Sequence, residues 1–576
     1  MAQNVRILLG SICVLFLTAC GQSAAQTTVV PADVRPTRTP PPTATAVIIA
    51  SATATTEVVD DLFVHEGPYF STSGSCARCH TELKDDAGRD VSIDTTWRGT
   101  MMANAARDPY WQASVAREVL ANPEMTTEIE SLCARCHTPM AAYIADQTSR
   151  EIVLLQDGFL NPGDSLHGYA MDGVSCTVCH QITDQELGFL SSYSGDFVID
   201  PDVSQGSRTV YGPYSIAQAQ RTVMISVSGF DPQQGLHTQR AEMCATCHTL
   251  YTPIVDQARD VIGLFPQQTP YFEWFYSSYR RTQTCQSCHM PDVEGGVRIS
   301  NMDGPLRTPF GEHVFVGGNT YGLALLDANR ADLGVLASEQ DIRRTYDHVI
   351  AQLSEDTARL TIEKAERVDT WLQLDLLIEN LAGHKIPTGF PSRRIWIHVL
   401  AVDAQGTVVF ESGLITTAGS ITGNDNDLDP GTFEPHYDRI TRSDEVQIYE
   451  PILGNTQGQV TTVLLHADEY LKDNRLLPQG FDKEYVHADI AVYGRANVDD
   501  DFIDGSDQIR YVFQIDPQSL PLTITAELLY QPVAYTWIEQ MRAWEAHEID
   551  DLLAYAAKVP NQALLLSSAE TILSGE

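Results

Sequence analysis

The 576-residue chain predicts a multidomain α+β protein: a mainly α-helical, loop-rich domain built around cysteine motifs, then a β-sandwich, then a C-terminal helix. Three observations predict it. Ten of the twelve cysteines form five C-x-x-C pairs with short helical patches between them. From about residue 357 the apolar pattern switches to period two, in short β-branched and aromatic runs broken by Gly, Pro, Asp and Asn. Near the end, Trp537, Met541, Trp544 and Leu552 return to helical spacing.

Residues 1–20 carry one cation, Arg6, then an apolar run from Ile7 to Leu17 and the ending Leu17-Thr18-Ala19-Cys20. The run is too short to span a bilayer comfortably and reads as a secretory signal. Its ending resembles a bacterial lipobox, in which Cys20 is acylated and kept as the first mature residue. Residues 21–60, centred on PTRTPPPTATA, are Thr/Pro/Ala-rich, have no hydrophobic period and read as a disordered tether. The expected location is therefore extracytoplasmic, lipid-anchored to a bacterial membrane at its periplasmic or cell-surface face. A net charge of −39 repels polyanions and sets nucleic acid aside as a partner.

Residues 61–318 hold all five motifs: Cys76/Cys79/His80, Cys133/Cys136/His137, Cys176/Cys179/His180, Cys244/Cys247/His248 and Cys285/Cys288/His289. Their unequal spacing excludes a repeat of equal units. Zinc and redox dithiols also use C-x-x-C. Neither requires a histidine after every pair, and histidine is only 16 of 576 residues. Two thioether-forming cysteines with an adjacent axial histidine are the attachment pattern of c-type haem. Five covalent haems follow, with His80, His137, His180, His248 and His289 as proximal ligands. Prolines at 139, 253 and 291 after the motifs predict early helix stops.

The sixth iron position separates an electron carrier from a catalyst. Four further histidines lie in the segment, His65, His167, His237 and His313, and are candidate distal ligands. One iron is left over, for which the candidates are His384, Met101, Met102, His436 or no protein ligand. His384 lies in NLAGHKIPTGFPSRR, where Gly383 and Gly389 permit bends while Pro387 and Pro391 fix φ. Arg393 and Arg394 beside it are candidates to pair with haem carboxylates.

Residues 319–356 predict a helical connector, 357–530 the β-sandwich, and 531–576 a C-terminal helix (about Thr536–Ala557) and tail.

GVSCTVCH, TPYFEWFYSSYRRTQTCQSCHMPD and HVFVGGN resemble the multihaem cytochrome c-552/c-554 family, related in haem arrangement to hydroxylamine oxidoreductase and pentahaem nitrite reductase. The resemblance covers about 65 to 318. AGHKIPTGFPSRRIWIHV and EPHYDRITRSDEVQIYE resemble the C-terminal extension of many such cytochromes. What the resemblance implies is electron transfer with redox partner proteins through mostly bis-histidine haems. Some relatives instead act on small nitrogen compounds, so an oxidoreductase working on a nitrogen or sulfur compound at one five-coordinate haem stands as the alternative. The chain lacks a C-x-x-C-K motif and has fewer than eight haem motifs, which favours the carrier.

Overall fold

The computed structural model describes residues 64–200 and 208–574. The signal, Cys20 and the tether to residue 60 lie outside them.

Helices in the haem-motif segment are short, as the proline and glycine content requires. Thr126–His137 ends on its own motif, and Pro139 opens the next helix, Pro139–Gln147. The longest of the segment, Pro109–Ala121, starts where the Asp108 carboxylate accepts from the Tyr110 and Trp111 amides, with Pro109 at its first position. It buries nearly all of its first ten residues.

The segment is not mainly helical. Arg208–Gly212 pairs in parallel with Phe230–Gln234, and Leu250–Val255 pairs antiparallel with Val261–Gln268. Pro253 corrects the expectation of a helix stop: it sits inside a strand, opposite Leu264, after a helix that has ended at Ala245. A two-stranded ribbon is all edge, so the missing N–H is tolerated.

The connector is helical, with helices Thr320–Ala328, Arg330–Leu333 and Glu339–Glu355, the last started by a Ser338/Asp341 capping box. Two sheets follow. One has the order Ala358–Val368, Trp371–Asn380, Ser506–Gln514, Arg439–Ile440; the other runs Ile448–Tyr449, Arg394–Asp403, Leu522–Gln531, Leu564–Leu573, with Val408–Ser412 also on Arg394–Asp403. Period-two alternation turns Leu372, Leu374, Leu376 and Ile378 of the first and Leu522, Ile524, Ala526 and Leu528 of the second into a shared core. Each such aliphatic side chain contributes roughly 1.5–3 kcal/mol when fully buried.

The C-terminus departs from the expected single helix and tail. Two helices, Tyr535–Met541 and His547–Ala556, are followed by Leu564–Leu573, which pairs antiparallel along Leu522–Tyr530. Trp537, Ile538, Met541, Ile549 and Leu552 pack into the same core as Tyr110, Trp111 and Val115 of the haem-motif segment. Buried Glu118 accepts from the Leu464 and Leu465 amides, and Arg117 donates to the Thr462 carbonyl. The β-rich region is thus cemented to the motif segment by both apolar packing and hydrogen bonds.

Candidate haem sites

Each motif places its histidine at or just after the end of a one- to three-turn helix. Four of the five rings are oriented the same way. His80 Nδ1 faces the Ile299 carbonyl at 2.5 Å, His137 that of Ala105 at 3.1 Å, His180 that of Tyr211 at 2.6 Å and His289 that of Val316 at 2.5 Å. A carbonyl only accepts, so Nδ1 carries the hydrogen and Nε2 keeps its lone pair, the arrangement that fixes a metal-binding imidazole. Burial pushes His137 down to about 4 despite that bond, so its ring is neutral at pH 7. Trp111 stacks on it, with centroids 4.3 Å apart and planes 5° from parallel.

Three candidate distal histidines share this orientation: His167 Nδ1 faces the Phe159 carbonyl (3.0 Å), His313 that of Gly311 (3.1 Å) and His384 that of Lys385 (2.9 Å). Burial, and then the neighbouring His180 and His80, push His313 down to about 3, which puts it close to two motif histidines. His65 lies edge-on to Tyr169, centroids 4.6 Å apart. His237 is reversed, with Nε2 donating to the Ile182 carbonyl at 2.9 Å, so only its Nδ1 keeps a lone pair.

The rings of His289 and His384 are 6.1 Å apart between centroids and 15° from parallel. That exceeds close face-to-face contact and falls at the wide end of offset stacking. Two metal–imidazole bonds of about 2 Å on opposite sides of one ion separate the bonding nitrogens by about 4 Å and the ring centroids by about 6 Å.

The loop bearing His384 is held from both sides. Asn380 Nδ2 donates to the His384 carbonyl, and Ile386 exchanges backbone bonds with Leu476. Thr388 Oγ1 donates to Glu273 Oε2 at 2.6 Å; Glu273 Oε1 in turn takes Arg475 Nη1 at 2.7 Å; Arg475 and Lys385 both bind Asp473, at 2.8 and 2.7 Å. These four charges are all buried. Burial works to raise the Asp473 carboxyl, but Arg475 and Lys385 outweigh it and hold it at about 2. Gly389 takes φ +83°, a bend closed to most residues. Glu273 precedes the last motif, so this ion network joins the motif segment to the β-rich region beneath His384.

The other candidates for the leftover iron go elsewhere. The Met101 methyl packs at Gly322 beside the sandwich core, and the Met102 carbonyl takes the Val174 amide. His436 is buried among Asp499, Asp507, Gln447 and Asn474 of the β-rich region. Arg394 is likewise corrected: it forms a buried ion pair with Asp427. Arg393 donates to the Thr388 carbonyl and lies near His248 and His384.

The ten motif cysteines are half-buried, and none is in a disulfide. Thiols of different motifs meet. Cys76 and Cys176 are within hydrogen-bonding reach, as are Cys136 and Cys247, and Cys244 and Cys285, while Cys179 lies near Cys247. The other three cysteines stand outside these pairs. Burial pushes the Cys133 thiol up to about 12, and the Cys288 thiol faces Gln283 Oε1 at 3.6 Å.

Cys79, like Cys247, lies beyond the end of its helix. Its helix, Ser73–Ala77, has already ended, so Cys79 lies on the following turn and is placed by its main chain, not by its thiol. The Cys79 amide donates to the Cys76 carbonyl at 3.1 Å, and the Cys79 carbonyl accepts the Asn301 amide at 2.8 Å. Its candidacy as a haem attachment point therefore rests on its three-residue spacing from Cys76 and on His80 beside it.

Free thiols gathered in pairs, oriented Nε2 lone pairs and a ring-to-ring gap sized for a metal ion together fit covalently bound haem.

Residues 75–181, with three of the five motifs, match the family model described as cytochrome c554 and c-prime. Among solved structures, a penta-haem cytochrome c552 from Thermochromatium tepidum is similar to 87% of this chain and 98% of its own, at 16% identity and a TM-score of 0.47. No curated protein matches the chain. Over residues 75–181, with three of its five motifs, this chain is therefore similar to the cytochrome c554 and c-prime family.

Proposed function

We propose that the protein is a five-haem electron conduit, lipid-anchored at Cys20 outside the cytoplasm, in which every motif would carry one haem and His384 would join His289 in holding the iron of the last motif. The observation that carries this reading is the adjacency of thiols from different motifs. The first motif meets the third, the third the fourth, and the fourth meets both the second and the fifth. All five attachment sites are thereby linked into one branched network, with the fourth at the branch.

Bound haem supplies a one-electron centre whose potential follows its axial ligands and burial. The chain supplies the rest. Backbone carbonyls lock four proximal rings with Nε2 free, the same device orients His167, His313 and His384, and the Glu273/Arg475/Asp473/Lys385 network fixes the height of the His384 loop. With both axial positions filled by protein, an iron passes electrons and binds no substrate. Redox partner proteins would then exchange electrons at the ends of the network.

The second reading, an oxidoreductase at an open haem, is favoured by His237, whose Nε2 is committed to Ile182. Intact mass and spin-state counting on protein from the membrane fraction test both. Five haems per chain, all low-spin by EPR and indifferent to carbon monoxide, are expected of the conduit. A high-spin haem that binds carbon monoxide would sink it in favour of the enzyme.

A further inference from the structure

Asp507 stands where the fold calls for an apolar side chain. On the strand Ser506–Gln514 the inward positions are Asp507, Ile509, Tyr511 and Phe513, and Asp507 is fully buried. Its Oδ2 accepts from the Tyr449 hydroxyl at 2.6 Å, whereas its Oδ1 is buried with no hydrogen-bond partner. An unmatched buried carboxylate oxygen is costly. That oxygen faces a cluster: ligand atoms of Asp507, Asp499 and His436 all lie within 4.8 Å of one another.

Two more carboxylates reach the cluster. Asp438, just before the strand Arg439–Ile440, and Asp501 each lie within hydrogen-bonding reach of Asp499. Both are exposed, so the cluster has a buried floor and an open mouth. Among the described residues no lysine or arginine side chain is ion-paired to any of the four. Arg510 is spent on Asp375, and Lys483 donates to the Ala496 and Asp499 main-chain carbonyls.

His436 tells what kind of ligand fits. Its Nδ1 receives Gln447 Nε2 at 2.8 Å and Asn474 Nδ2 at 3.1 Å. Neither amide can turn round, because Gln447 Oε1 accepts the Tyr437 amide and Asn474 Oδ1 the Glu450 amide. Nδ1 is therefore the acceptor, and Nε2 carries a hydrogen that it donates to Asp499 Oδ2 at 3.1 Å. An N–H cannot ligate, so the donor set is oxygen alone, which suits a hard cation and not zinc or copper.

We propose that Asp438, Asp499, Asp501 and Asp507 bind one divalent cation of the calcium type, with His436 orienting Asp499 from behind. The site is independent of the haem reading.

The test uses the haem-loaded protein, stripped with EDTA and returned to calcium-free buffer. Equilibrium dialysis with radioactive CaCl2 is expected to give one calcium per chain, and the melting temperature followed by circular dichroism at 222 nm to rise with calcium, as binding to the folded state alone requires. Asp501→Asn, at an exposed position that leaves folding intact, is expected to weaken binding at least tenfold, and Asp507→Asn to abolish it. Absence of binding at millimolar calcium, with coincident melting curves in EDTA and CaCl2, overturns the proposal and leaves a shared proton as the solution of the cluster. Binding that survives undiminished in Asp501→Asn overturns it too, by putting the ion elsewhere.

Discussion

His289 and His384 face each other with near-parallel rings 6.1 Å apart, although one ends a haem-attachment motif and the other rides on a loop between two strands of the sandwich. Neither ring moves alone. His289 is tied to Val316, and His384 to its own loop, which Asn380, Thr388 and Lys385 anchor in turn.

Replacing His384 by alanine is expected to leave five haems attached and to make one of them high-spin, with new carbon monoxide binding after reduction. His436→Ala, which removes a histidine buried among Asp499, Gln447 and Asn474, is expected to leave the spin count unchanged. EPR of the two variants side by side checks the pair; unchanged spectra in His384→Ala would return that residue to a purely structural role.

The ion network beneath the loop predicts an order of damage. Asp473→Asn leaves Lys385 as a buried cation without its charged partner and Arg475 with Glu273 alone, which costs about 3–5 kcal/mol. Lys385→Met is milder, because Arg475 still neutralises Asp473. Urea unfolding of both variants measures the difference, and equal losses would show that Lys385 and Arg475 are not interchangeable counter-ions.

His398 bridges Glu527 and Glu411 across one face of the sandwich, with Nδ1 3.0 Å and Nε2 3.1 Å from their carboxylates. Burial works to lower its pKa, but the two glutamates prevail and raise it above 6.5. The folded state therefore holds this proton more tightly than the unfolded chain. Its contribution is complete below about pH 6.5 and is lost as pH rises through the folded value. His398→Gln should lower stability by on the order of 1 kcal/mol at pH 6 and by much less at pH 9; melting curves at the two pH values decide it, and a pH-independent difference would refute the bridge.

Trp111 is nearly buried and flat against the His137 ring. Trp111→Ala is expected to cost about 3–5 kcal/mol, and the conservative Trp111→Phe much less. Denaturant midpoints with unchanged slopes would confirm that packing is what is lost.

The five motifs were legible because thioether attachment forces its residues into one short string, which no folding can hide. The β-rich region was legible from period two, since Leu372, Leu374, Leu376 and Ile378 alternate with less buried neighbours. What the pattern concealed has physical causes. Leu250–Val255 and Val261–Gln268 are too short and too close to a motif to stand out. Leu564–Leu573 is an edge strand with mostly half-exposed and exposed residues, so its sequence reads as a tail. The network under His384 joins residues 88 and 202 positions apart, and nothing in a local window announces it. Preferring His384 to Met101, Met102 and His436, as proposed above, draws on distances, because all four are unremarkable in sequence. Cys79 shows the converse: its motif is plain in the sequence, while the tie to Asn301 that holds its turn spans most of the haem-motif segment.

The strand Leu564–Leu573 has a consequence for the order in which the protein is made. It follows every other described element, yet it lies along Leu522–Tyr530, the neighbour of the strand that leads out of the His384 loop. All five attachment motifs leave the ribosome long before it does. Under the proposed ligation, a haem at His289 would be attached before the strands that hold the His384 loop have been made, so its second histidine would be set in place only once Arg394–Asp403 and Leu522–Gln531 have paired.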